Sequence, residues 1–236
     1  MCNIFCLLVQ YDIRESVPNT IVWVRMGIIE IATIIALILS IVLHEVAHGY
    51  AANWLGDPTA RLAGRLSPNP FLHIDPLGSV LIPAILFLSN AGFLFGWAKP
   101  VPYNPYNLSN QRWGEAIVAA AGPLTNFLLA IIFALLIRLA VPFGLSESFI
   151  ELASYIVSIN VLLGLFNLIP IPPLDGSKVL EPFLPFALRM KYRSFGSFVD
   201  RLGLIGSFLL IFIFIQILWH PFSIVVYGIS NFLIGF

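Results

Sequence analysis

The most chemically loaded stretch of the chain is His44-Glu45-Val46-Ala47-His48, an H-E-x-x-H pattern inside an otherwise apolar run. On a helix at 100° per residue, His44 and His48 fall one turn apart on a single face, where two imidazoles can share a tetrahedral Zn2+. Glu45 lies at the neighbouring angle, placed to work on a water rather than on the metal. With 4 His and 7 Glu among 236 residues, shuffling would yield roughly 0.0015 such matches, so chance does not explain the pattern. Charged groups in a membrane-spanning helix cost about 2.5 kcal/mol or more each at mid-membrane. A solvated helix end at the membrane surface would have no need of His, Glu and His together.

Two histidines do not complete a zinc site, and a catalytic one needs a third protein ligand plus a place for water. Outside the motif the acidic candidates are Asp57, Asp75, Glu115, Asp175 and Glu181, with His73 and His220 as nitrogen alternatives. Asp175 stands out because it closes the uncharged stretch 152–174 in Asn167-Leu168-Ile169-Pro170-Ile171-Pro172-Pro173-Leu174-Asp175-Gly176. Three prolines break the helix before the carboxylate and Gly176 permits a tight turn after it. Local chemistry leaves two roles open for Asp175, metal ligand or N-cap of the stretch that follows. His73 is read as a loop histidine at the membrane surface, His220 as an interfacial residue beside Trp219, and Glu30 as the interfacial start of the first apolar helix.

The elements that must hold these groups are apolar. The chain is 59% hydrophobic and 10% charged, with a mean hydropathy of +0.94, more than one core of this size can hide. Lipid must supply the cover. Twelve basic and twelve acidic residues give zero net charge, so no basic excess exists for nucleic acid. Cys2 and Cys6, both near the start, form neither a disulfide framework nor a CxxC motif. Spanning about 30 Å of hydrocarbon takes roughly 20 residues at helical rise. Runs 27–52, 116–137, 152–174 and 202–219 supply four such helices, and 222–236 a short fifth or an interfacial tail. The run 76–98 is also uncharged, but Pro83 and the Ser89-Asn90-x-Gly92 cluster favour a re-entrant or broken hairpin over a straight span. Residues 1–26 are read as a weakly ordered extension upstream of a functional start near Met26, and 27–236 as one membrane-embedded domain. The expected fold is an all-α polytopic membrane protein with about four to six transmembrane or re-entrant helices around an intramembrane zinc site.

The H-E-x-x-H helix, the central Gly122-Pro123-Leu124-Thr125-Asn126 and the segment from Asn167 to Gly176, in that order, resemble the site-2 protease family of intramembrane zinc metalloproteases. The likeness is to its small prokaryotic members without a PDZ or CBS domain. Gly56-Asp57-Pro58-Thr59-Ala60, Asn69-Pro70 and Gly96-Trp97-Ala98-Lys99-Pro100-Val101-Pro102 also resemble that subgroup, so the similarity spans roughly 27–184. The resemblance implies that His44, His48 and Asp175 hold one Zn2+ and that Glu45 is the general base and acid. It implies a place near the site for Asn126, as an oxyanion donor or a hold on the substrate backbone, against the plainer reading of an asparagine that packs helices. Asn167 is implied either as a support behind the ligands or as a substrate contact.

If Asp175 and the H-E-x-x-H share a metal, the ends that carry them lie on one side of the membrane. With Asn126 in the first half of run 116–137 and near that metal, this run also starts on that side, so the chain crosses an even number of times between 52 and 116, which again makes 76–98 a hairpin. Connectors 53–75, 99–115 and 172–201 on that side carry nine of the 12 basic residues, which sets the site near the cytoplasmic face of a multi-pass membrane protein. The expected reaction is hydrolysis of peptide bonds within or near transmembrane segments of a substrate protein. The rival class is a zinc-binding transporter or a non-catalytic metal-binding membrane protein, and Glu45 discriminates, because transport needs no base beside two ligands.

Overall fold

The computed structural model describes residues 3–7, 27–89, 94–140, 143–144 and 146–235. Of the expected N-terminal extension, 1–2 and 8–26 lie outside the described residues. Within it, strand β1 (Asn3–Leu7) is paired with a later strand.

Helix α1 (Ile28–Trp54) is a run of Ile, Leu, Ala and Val without a helix breaker before Gly49. It ends where Gly56 adopts φ +103, a left-handed conformation that glycine adopts without a Cβ penalty. The short helix α2 (Thr59–Leu62) follows. Between them sits the buried Asp57, whose carboxylate accepts hydrogen bonds from the Thr59 amide and hydroxyl, the Asn104 amide and the Asn107 side chain. One carboxylate thus ties the loop after α1 to the loop before the next span.

The chain then enters the hairpin. Asp75 caps its start by accepting from the amides of Leu77 and Gly78. A π-helical turn Pro76–Leu81 and helix α3 (Ile82–Leu88) lead inward, and strand β2 (Leu94–Ala98) leads back, antiparallel to β1 with Asn3 opposite Ala98 and Leu7 opposite Leu94. The two ends of this excursion meet. The Lys99 amide donates to the His73 carbonyl at 2.8 Å and the Ser79 hydroxyl to the Trp97 carbonyl at 2.7 Å. The segment therefore returns to the level at which it entered, as the proline and the Ser-Asn-x-Gly cluster predict. The indole of Trp97 covers Gly78 so closely that a Cβ there would lie 2.2 Å from the ring.

Helices α4 (Gly114–Ala140) and α5 (Glu147–Asn167) form an antiparallel pair packed on α1. Ala130, Ala134 and Ile137 of α4 meet Ala153, Val157 and Val161 of α5, and the small side chains let the backbones approach in lipid, where close packing replaces the hydrophobic drive. Ser146 caps α5 by accepting from the Phe149 amide. Within the uncharged run 152–174 the prolines break the helix, and α5 stops at Asn167, because Pro170 disfavours helix at the residue before it and cannot donate within it. Asp175 consequently opens a new helix, α6 (Asp175–Leu180), rather than closing an old one.

Helix α7 (Phe186–Ile234) bends at Gly203, where φ is +59. The expected break at His220-Pro221 is absent. Pro221 lies inside a continuous span, so 222–236 forms no separate fifth segment. Arg138 at the end of α4 donates to the Leu233 and Phe232 carbonyls and so satisfies the last turn of α7. Among the described residues four helices, Ile31–Trp54, Gly114–Leu139, Glu147–Asn167 and Leu209–Ile234, are long and apolar enough to cross a membrane. Many large apolar side chains on them are exposed, the surface that lipid would cover.

Candidate metal centre

The site is built from the C-terminal half of α1, the N-terminal half of α4 and the first residue of α6. His44 and His48 lie one helical turn apart, with ring centroids 4.7 Å apart and planes at 86°. Their Nε2 atoms approach to 3.0 Å, and Asp175 Oδ2 lies 3.1 Å from the first and 3.3 Å from the second. Leu174, not Asp175, occupies the N-cap position of α6; the Asp175 carboxylate faces the imidazoles. All three residues are at most 3% exposed.

The far side of each ring sets its tautomer. His48 Nδ1 lies 2.7 Å from the Val118 carbonyl, which can only accept, so this nitrogen carries the proton. His44 Nδ1 donates to Asn126 Oδ1 at 2.6 Å. In the neutral imidazoles both Nε2 atoms are then lone-pair donors that converge on each other and on a carboxylate oxygen. A cation relieves that repulsion. Donors at the usual zinc distances in a tetrahedron stand about 3.3 Å apart, and the three separations here are 3.0, 3.1 and 3.3 Å. His44, His48 and Asp175 also form a group able to hold a metal ion, and the donor set suits Zn2+.

Helix α4 contributes by what it lacks. A Cβ built on Gly122 would lie 2.5 Å from both Nε2 atoms and 2.6 Å from His44 Cε1. Only glycine leaves that space to a metal. Gly176 is constrained likewise, since a Cβ there would meet the Leu168 carbonyl oxygen at 2.1 Å, which lets α6 start tightly against the end of α5.

Asn126 is fully buried and both ends of its amide are engaged, Oδ1 with His44 and Nδ2 donating to Asn160 Oδ1 at 3.0 Å. Asn160 passes the order outward, donating to Ser40 Oγ and to the Ile156 carbonyl, both at 2.9 Å. The sequence reading missed Asn160 and Ser40, although a polar residue inside an uncharged helix was itself the available signal. Asn167 donates to the Leu163 carbonyl, while its buried Oδ1 has no hydrogen-bond partner among the described residues.

Glu45 is buried, and its Oε2 accepts from the Val101 amide at 2.9 Å. Of the other acids weighed as ligands, Asp57 and Asp75 are occupied as loop caps, and Glu181 pairs with Arg193. His73 departs from expectation. It is 2% exposed, enclosed rather than on the surface. Lys178 in α6 donates to the Tyr103 hydroxyl at 2.9 Å.

The sequence model for Peptidase family M50 matches residues 32–150 and 140–212. The chain is 39% identical over 164 residues to the Bacillus subtilis protein named "Putative zinc metalloprotease YwhC", covering 67% of this chain and 71% of that one. It is 28% identical over 155 residues to "Putative zinc metalloprotease Rip2" of Mycolicibacterium smegmatis, covering 62% of this chain and 55% of that one. It is 26% identical over 166 residues to "Zinc metalloprotease MJ0392" of Methanocaldococcus jannaschii, covering 70% of this chain and 36% of that one. No solved structure matches the chain.

Proposed function

Because the chain belongs to peptidase family M50 and is an intramembrane zinc metalloprotease, we propose that it cuts membrane-spanning segments of other proteins near the cytoplasmic face. In this reading His44, His48 and Asp175 hold the zinc and Glu45 is general base and acid. Zinc bound there supplies Lewis acidity, which lowers the pKa of a water and polarises a peptide carbonyl. Glu45 would take a proton from a water as its oxygen bonds to the scissile carbonyl carbon and deliver it to the amine nitrogen as the C–N bond breaks, while the Val101 amide holds its carboxylate. Asn126 and the Val118 carbonyl hold the two rings in the tautomer that presents Nε2. The unpartnered Oδ1 of Asn167 is an acceptor suited to a substrate amide.

The observation that carries this reading is the convergence of three lone-pair donors, with a carboxylate one residue from the first ligand. A metal carrier would use the donors and have no need of Glu45. The cytoplasmic side rests on the connectors at this end of the molecule, which carry Arg61, Arg65, Lys99, Arg112, Lys178, Arg189, Lys191, Arg193 and Arg201.

Glu45→Gln is the test. It keeps the size and removes the ionisable group, so zinc content should stay near wild type while cleavage falls at least about 100-fold. Comparative membrane proteomics of cells carrying wild type and Glu45→Gln should then show single-span proteins accumulating in the variant. Near wild-type cleavage by Glu45→Gln would end this mechanism, and unchanged zinc flux into vesicles would favour the carrier.

A further inference from the structure

Arg65 and His73 are buried, belong to none of the groups assigned above, and lie between the catalytic helix and the hairpin. Burying a guanidinium costs several kcal/mol unless its surroundings compensate, so its contacts are informative. Arg65 donates to the Lys99 carbonyl at 2.8 Å and faces His73 Nδ1 at 3.4 Å. His73 Nε2 donates to the Ser67 carbonyl at 2.9 Å. Since a carbonyl only accepts and a guanidinium only donates, His73 is neutral with its proton on Nε2. Burial pushes its pKa below the ordinary imidazole value, and the Arg65 charge adds to this. The His73 carbonyl in turn accepts from the Lys99 amide, so residue 99 is gripped through both its backbone groups.

Two residues further on is Val101, whose amide holds Glu45. Pro100 and Pro102 flank it and restrict the backbone on either side. Val101 is also seated directly on α1, where a Cβ on Gly49 would lie 2.9 Å from its Cγ1. The grip on Lys99 is thus transmitted over a short, stiff segment to the group that orients the carboxylate.

We propose that Arg65 and His73 are positioning residues for Glu45, clamping the return arm of the hairpin at Lys99 so that the Val101 amide stays on the carboxylate. This rests on Glu45 being the general base. Arg65→Lys keeps the charge, but its shorter side chain does not extend to where Nη2 meets both partners, and His73→Ala removes the imidazole that Arg65 faces while keeping the main-chain carbonyl that accepts from Lys99.

The protein in detergent micelles with zinc bound is assayed on a single-span peptide carrying a fluorophore and a quencher on either side of its apolar segment. Arg65→Lys should lower kcat about 10- to 100-fold, the scale of a small misplacement, with KM within about twofold and zinc retained. In a Glu45→Asp background, whose shorter side chain already loses Val101, the same change should cost less than about twofold more, because both act on one contact. Hydrogen exchange supplies a readout that needs no activity. The Val101 amide should exchange at least about 10-fold faster in both Arg65→Lys and His73→Ala, while the Val118 amide in α4 keeps its rate. Losses additive with Glu45→Asp, or a Val101 amide that stays protected in both variants, would overturn the proposal. If Glu45→Gln itself cleaves normally, the base assignment fails, and the Val101 exchange rates still decide whether the clamp exists.

Discussion

Gly122→Ala places one methyl where the structure has least room for it. The added Cβ would stand 2.5 Å from both histidine Nε2 atoms, whereas non-bonded carbon and nitrogen settle near about 3.4 Å. Relief takes a shift of about 0.9 Å by α4 or by both imidazoles, and a zinc site tolerates only about 0.2 Å in its ligand distances. At least one ring must therefore leave the coordination geometry. We expect zinc affinity to fall at least about 100-fold, near 2.8 kcal/mol at 1.4 kcal/mol per tenfold. The fold should suffer much less, because the overpacking cost of about 1–3 kcal/mol is partly offset by about 1 kcal/mol of helix propensity gained over glycine. The assay is zinc retained against a graded chelator in micelles, beside the Tm of the metal-free protein. Gly228→Ala is the control, since nothing lies within 4 Å of a Cβ there. A folded Gly122→Ala protein that keeps zinc as wild type does would refute the reasoning and move the metal away from the Nε2 pair.

Asp175→Ala should lose zinc and cleavage together, whereas Asp75→Ala should keep zinc and lose only its cap on the hairpin, about 1 kcal/mol; near-stoichiometric zinc in Asp175→Ala would require another ligand. Burial alone would raise the pKa of Asp57, but hydrogen bonds from Thr59, Asn107 and Asn104 outweigh it and hold the value below the ordinary 3.8. Its stabilising contribution is therefore present at neutral pH and lost as pH falls through 3.8 toward the lower folded value. Tm in micelles should drop over that range for wild type and drop less for Asp57→Asn; parallel acid limbs would contradict this. With Cys2 and Cys6 replaced by serine, single cysteines at Leu62, Tyr106 and Ser194, all exposed, should react with an impermeant thiol reagent from the same side, the cytoplasmic one; Tyr106→Cys labelling from the opposite side to Leu62→Cys would make the hairpin a true span.

What the sequence determined by itself was local or periodic. The i, i+4 spacing of His44 and His48 puts them on one face of any helix, the length of the uncharged runs bounds the number of spans, and Pro83 with Ser89-Asn90-x-Gly92 disfavours a straight helix through the hairpin. Each follows from the backbone's own geometry and the cost of polar groups in lipid. Tertiary structure decided which of several acids meets the histidines, because 126 residues of chain separate His48 from Asp175 and their meeting depends on how α4 and α5 bring α6 back to α1. It also decided that α5 stops at Asn167, that α7 runs through Pro221, and that His73 is enclosed with Arg65. The same holds for the line Asn126, Asn160 and Ser40 behind His44. Glycine shows the division most clearly. In sequence Gly122 is a small residue in a helix, and only the two imidazoles packed against its missing side chain show why a single methyl there is excluded.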